Sequence, residues 1–102
     1  MKIIKKLTCL INEELHDAEK YANLALKYKE DDPETSALFY SLSVEETKHM
    51  NMLHDAVTKI IKGIKKEDDP RTEGMKIAYD LLHEQAIDKA KEVAILQSMY
   101  RE

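Results

Sequence analysis

An all-α fold, arranged as an antiparallel three-helix bundle, is predicted by three observations on the 102-residue sequence. The composition combines 43% hydrophobic and 35% charged residues with only 2 Gly and no Trp, which is typical of long amphipathic helices. Two nearly identical turn sequences, KEDDPET at 29–35 and KEDDPRT at 66–72, divide the chain into three segments. Within each segment apolar residues recur every three or four positions, the period of a helix with one buried face.

These observations predict a single domain over residues 1–102, with helices at about 3–29, 33–65 and 70–100 in up-down-up order. Each turn offers an aspartate as the N-cap, Asp32 or Asp69, followed by a proline at the first helical position. A domain of this size has a thin core, so association with a further copy is expected.

Each helix is predicted to bury one stripe of residues. The stripe of the first helix is Ile4, Leu7, Ile11, Glu14, Ala18, Tyr21, Ala25 and Tyr28. That of the second is Phe39, Leu42, Glu46, His49, Leu53, Ala56, Ile60 and Ile64. That of the third is Met75, Ala78, Leu82, Ala86, Val93, Leu96 and Tyr100. The first two stripes therefore contain ionisable groups where apolar side chains are expected.

Glu14, Glu46 and His49 are the residues that break the apolar pattern. Glu46 and His49 are three residues apart, so they point the same way from one helix. In an antiparallel pair that turns near residues 31–32, Glu14 lies within about one helical turn of the level of both. The sequence thus predicts that two carboxylates and one imidazole meet between the first two helices.

A bound metal ion would explain this cluster. Burying an unpaired ionised group costs several kcal/mol, and no Lys or Arg lies in either stripe near that level. Carboxylate and imidazole ligands suit iron, manganese or zinc. The alternative is that all three are polar residues at the edge of the core, held by hydrogen bonds.

Two motifs in these helices resemble those of the ferritin-like superfamily, which includes rubrerythrins and ferritins. ELHDAEKY contains Glu14 and Tyr21 in the family's Glu-x6-Tyr spacing, and EETKH contains Glu46 and His49 in its Glu-x-x-His spacing. The resemblance covers about residues 7–64. It implies that Glu14 and His49 are terminal metal ligands and that Glu46 bridges two ions. Tyr21 would lie beside these ligands, or else serve only in packing.

The chain departs from that family pattern because it has no fourth helix and no second Glu-x-x-His. Asp80-x-x-His83 and the adjacent Glu84 are the nearest substitute in the third helix. The register places His83 and Glu84 about one turn from the level of the cluster, so they are expected beside the site or at an interface. Ligation by them stays open.

A second copy of the chain would complete the site more simply. Two helix pairs would form one four-helix core with four carboxylates and two imidazoles. In this the chain resembles encapsulated ferritins, whose short subunits build a di-iron site across a two-fold dimer. The resemblance implies a homo-oligomer, at least a dimer, that binds two ions per dimer, of iron or else manganese or zinc.

The function that follows is that of a di-metal carboxylate protein, which, if catalytic, would oxidise ferrous iron with oxygen or peroxide. The alternative is a non-catalytic structural or interaction bundle with a vestigial or unused site, since small ferritin-like proteins of prophage regions are a comparable match.

A net charge of −4 and the absence of a long apolar run argue against nucleic-acid and membrane partners. Cys9, the only cysteine, favours a cytoplasmic location. His16 and His54 are expected on solvated faces.

Overall fold

The computed structural model describes the backbone of residues 2–63 and 70–102 and, in the second range, the side chains of 74 and 77–102. These residues form three helices, α1 (Lys2–Tyr28), α2 (Pro33–Gly63) and α3 (Pro70–Arg101). The described ranges contain no strand, so the prediction of an all-α fold with three helices is confirmed. Most of the second predicted turn, including the Asp69 cap, lies outside the described residues, as does Ile64.

The turn between α1 and α2 is built by Asp32. One carboxylate oxygen accepts a hydrogen bond from the backbone N–H of Thr35 at 3.2 Å, and the other accepts one from the Thr35 hydroxyl at 2.7 Å. Both bonds favour the ionised carboxylate, so they hold the pKa of Asp32 below its ordinary value of 3.8. Pro33 then begins α2 with a residue that has no N–H to satisfy.

Small residues let α1 and α2 pack closely over the half of the pair next to this turn. Ser36 and Ser43 are fully buried, and their hydroxyls donate to the backbone carbonyls of Ala25 and Ala18 at 2.5 and 2.7 Å. These contacts follow opposite orders along the two helices. Farther from the turn, the core passes to larger side chains. Its buried members are Ile4, Ile11, Leu15 and Val57.

The C-terminal half of α3 is held to the other two helices by polar contacts. Lys89 donates to Glu19 of α1 at 2.6 Å, and Gln97 donates to the hydroxyl of Ser43 in α2 at 3.0 Å. Near the end of α3, Arg101 donates to the hydroxyl of Tyr40 at 2.9 Å. Ser43 therefore links all three helices through one buried hydroxyl.

The buried stripe predicted for α3 is only partly correct. Val93 is fully buried, but Ala78 and Leu82 are exposed, because the N-terminal part of α3 packs less closely against α1 and α2. The side chain of Met75, which the prediction also included, is outside the described set. No helix within the described ranges combines the length and apolar character needed to cross a membrane.

Candidate metal centre

Glu14 on α1 and Glu46 and His49 on α2 meet as the sequence predicted. The Nδ1 atom of His49 lies 3.5 Å from Oε2 of Glu14 and 3.7 Å from Oε2 of Glu46. One ligand atom from each of the three residues can be chosen so that all lie within 4.8 Å of one another. Antiparallel packing supplies the first carboxylate, and the i, i+3 spacing in α2 supplies the other two groups.

The cluster is partly buried and poorly satisfied. The side chains of Glu14, Glu46 and His49 are 25%, 20% and 49% exposed. Oε2 of Glu14 is buried and has no hydrogen-bond partner, although most buried polar atoms in proteins have one. Within the described part of the chain, His49 is the one basic residue found within 4.0 Å of either carboxylate.

This arrangement fits a divalent transition metal. Two carboxylates and one imidazole are donors that suit iron, manganese and zinc, and a cation would satisfy the unpartnered oxygen of Glu14. The described residues of one chain provide three such ligands in this cluster. The exposure of His49 shows that the cluster opens outward rather than into a closed core, so further ligands can reach it from outside the chain.

Within the described residues, the cluster lies on the side of the α1–α2 pair that faces away from α3. Successive residues of a helix are rotated by about 100°, so Tyr40 and Glu46 are each about 60° from Ser43 and lie on opposite sides of it. Tyr40 packs against Tyr100 of α3, with ring centroids 4.5 Å apart, whereas Glu46 faces away from that contact. His49 is rotated farther in the same direction as Glu46.

We call this surface the open face. It consists of half-buried apolar residues on both sides of the cluster, together with the cluster itself. Its members are Leu7, Leu10, Glu14, Tyr21, Phe39, Leu42, Glu46, His49 and Leu53. The stripe predicted for α2 is thus a half-covered surface in the single chain rather than a buried one.

Tyr21 lies on the open face and is held by packing. Its ring stacks on Phe39 with centroids 6.3 Å apart, and Phe39 also meets Tyr28 at 6.3 Å. Lys20 lies over the Tyr21 ring at 5.0 Å. These contacts anchor the aromatic end of the open face two helical turns from Glu14.

His83 and Glu84 do not join the three-residue cluster within this chain. The ring of His83 stacks on His54 of α2, with centroids 4.7 Å apart, and its Nδ1 lies 3.4 Å from the Tyr79 hydroxyl. Glu84 and Asp80 are exposed. The expectation that His54 is solvated was wrong: it is half-buried because α3 covers that side of α2. Periodicity alone does not show where α3 lies, so no sequence signal predicted the contact between His54 and His83.

Comparisons with protein-family models, curated proteins and solved structures found no match to this chain.

Proposed function

We propose that the chain is a ferritin-like di-metal protein whose site is shared by two copies of the chain. Glu14, Glu46 and His49 of each copy would hold two ions per dimer, of iron or else manganese or zinc. The observation that carries this proposal is the buried, unpartnered oxygen of Glu14 beside Glu46 and His49. A cation at that point would satisfy this oxygen and could be held by the side chains of Glu46 and His49 as well.

The open face is the surface through which two copies would join. Its apolar side chains stay half-exposed in one chain, and burying them would yield roughly 25 cal/mol per Å² of apolar area. A two-fold arrangement brings the same surface of each copy together. It would place two clusters face to face and give four carboxylates and two imidazoles in one four-helix core.

The order of contacts supports an up-down-up arrangement in each copy. Contacts between α1 and α2 run from Ala25 with Ser36 to Glu14 with His49, so these two helices are antiparallel. Contacts between α1 and α3 run from Glu19 with Lys89 to Lys29 with Glu102, just beyond the ends of the two helices, so α1 and α3 point the same way. Because α3 lies on the far side, the α1 and α2 helices of two copies can form the four-helix core without displacing it.

Iron bound there would supply electrons to oxygen or peroxide. By the resemblance to ferritin-like proteins, Glu14 and His49 would each be a terminal ligand, and Glu46 would contact both ions. Negative carboxylates favour the more highly charged ferric product over ferrous iron, so these side chains promote the oxidation. The apolar rim of the open face limits the access of water.

The test is anaerobic loading with ferrous iron, followed by exposure to oxygen and measurement of the near-ultraviolet absorbance of ferric iron. Wild type should bind iron and oxidise it faster than the same iron in buffer. Glu46→Ala should bind none. The matched control is Glu45→Ala, which removes an exposed carboxylate paired only with Lys48 among the described contacts. It should behave as wild type.

Two outcomes would count against parts of the proposal. Iron that binds but oxidises no faster than free iron would contradict the oxidase activity and favour a non-catalytic bundle. Equal binding by wild type and Glu46→Ala would contradict the metal site itself.

A further inference from the structure

A second candidate site lies on the other side of the molecule, between α3 and the α1–α2 pair. It is a groove of about 410 Å³. Ile11 and Thr8 of α1 are buried and form its floor. Met50 and His54 line the α2 side, and Leu82 and Ala86 line the α3 side.

The groove exists because α3 presents small side chains there. Ala86, Ala90 and Ala94 follow one another at four-residue intervals along the lining and leave space that larger side chains would fill. The stacked rings of His54 and His83 bridge α2 and α3 at the end nearer Tyr79. This contact closes the groove at that end.

The charge of the lining is opposite to that of the chain. The protein contains 20 acidic residues and has a net charge of −4, yet none of the described residues that line this groove is a carboxylate. Its polar groups include the Lys91 ammonium and the Asn51 amide, both able to donate hydrogen bonds. Lys91 forms none of the ion pairs found among the described residues, whereas Lys89, two positions earlier, pairs with Glu19. Among the described residues, the groove therefore combines an apolar interior with the Lys91 ammonium at its edge.

We infer that this groove binds an apolar monocarboxylate of the fatty-acid type. The alkyl chain lies along Ile11, Met50 and the alanines of α3, and the carboxylate pairs with Lys91. The volume lies within the range of about 300–1,000 Å³ that is usual for small-molecule sites. Because the open face lies on the other side of α1 and α2, this site is independent of the metal site.

Isothermal titration of the purified full-length chain with decanoate tests the inference. Wild type should show saturable binding of one decanoate per chain. Lys91→Gln should weaken it about tenfold, because the variant keeps a polar side chain but loses the charge that pairs with the carboxylate. Lys59→Gln, which removes the same charge from an exposed position of α2 outside the lining, should bind as wild type.

A second pair of variants tests the interior. Ala90→Leu should fill the groove and reduce binding more than tenfold. Ala37→Leu adds the same side chain at an exposed position outside the groove and should have no effect. Circular dichroism melts of both variants show that they are folded before titration.

Several results would overturn the inference. One is uptake of decanoate that does not saturate, and another is equal binding by Lys91→Gln and wild type. A third is equal binding of decanol and decanoate, because the acidic head group would then be irrelevant. Light scattering in the same samples covers one further case. If decanoate binds only by splitting an oligomer, the groove is an interface between copies of the chain and not a fatty-acid site.

Discussion

Replacing Glu14 by Leu separates a metal ligand from an ordinary polar residue at the edge of the core. In the metal-free chain Oε2 of Glu14 is buried without a hydrogen-bond partner. Leu removes that oxygen and adds apolar surface next to the open face. If Glu14 is retained for metal binding, the variant should be more stable than wild type without metal and should not respond to metal.

The magnitude follows from the burial of the group. A buried polar group without a partner costs about 1–3 kcal/mol. A quarter of the Glu14 side chain remains exposed, so we take the lower end, about 1 kcal/mol. For a domain of this size that corresponds to a rise of about 4–8 °C in the melting temperature.

Metal should reverse the order of the melting temperatures of wild type and Glu14→Leu. At a free metal concentration one hundred times the dissociation constant, binding adds about 2.7 kcal/mol to the stability of wild type and nothing to that of Glu14→Leu. Wild type should then melt above the variant. The assay is a pair of thermal melts by circular dichroism, one with chelator and one with manganous ion.

Glu19→Leu is the matched control, because Glu19 is also on α1 but pairs with Lys89 at 2.6 Å. It should not be stabilised by the change, and it should keep the response to metal. A metal-free Glu14→Leu protein that melts below wild type would refute the reasoning, since Glu14 would then have a stabilising role in the absence of metal.

Three further predictions concern the fold. Ser43→Ala removes the buried hydroxyl shared by three helices and should lower the free energy of unfolding, measured by urea titration, by about 1–3 kcal/mol. The control Ser41→Ala changes an exposed residue and should leave that free energy unchanged. Equal urea midpoints for the two variants would contradict this. Asp32→Ala should lower the melting temperature at neutral pH. That difference should disappear as the pH falls through the lowered pKa of Asp32, since the stabilisation is complete only above the ordinary value of 3.8; a difference that persists in acid would contradict it. Lys89→Gln should melt below wild type at pH values under 10.5, because the hydrogen bond to Glu19 raises the pKa of Lys89. The difference should fade as the pH rises through that raised pKa. A difference in melting temperature that does not change with pH would contradict it.

The sequence predicted those features that depend on local chemistry. The Asp32 cap and Pro33 determine where α2 begins, and both act within one helical turn. The meeting of Glu14 with Glu46 and His49 followed from counting residues on either side of that turn. This works because two helices joined by a short turn have nearly fixed levels relative to each other.

The position of α3 could not be read in the same way. Periodicity identifies the apolar face of a helix but not the neighbour that covers it. His54 is half-buried because α3 packs on its side of α2, and Leu82 is exposed because the N-terminal part of α3 packs less closely against the other helices. For the same reason the apolar stripes predict that the open face is buried core, because periodicity does not show which side of the α1–α2 pair α3 packs against.

The stoichiometry of metal binding, measured together with the mass of the assembly, tests directly whether two copies of the chain share one metal site. Protein purified without an affinity tag would be stripped with chelator, titrated with manganous or ferrous ion, and analysed by light scattering and elemental analysis in the same sample. We expect an assembly of at least two chains with two ions per dimer, and loss of binding in the triple variant Glu14→Ala, Glu46→Ala, His49→Ala. A metal-saturated monomer would contradict the shared site, and equal metal content in wild type and the triple variant would contradict the metal centre.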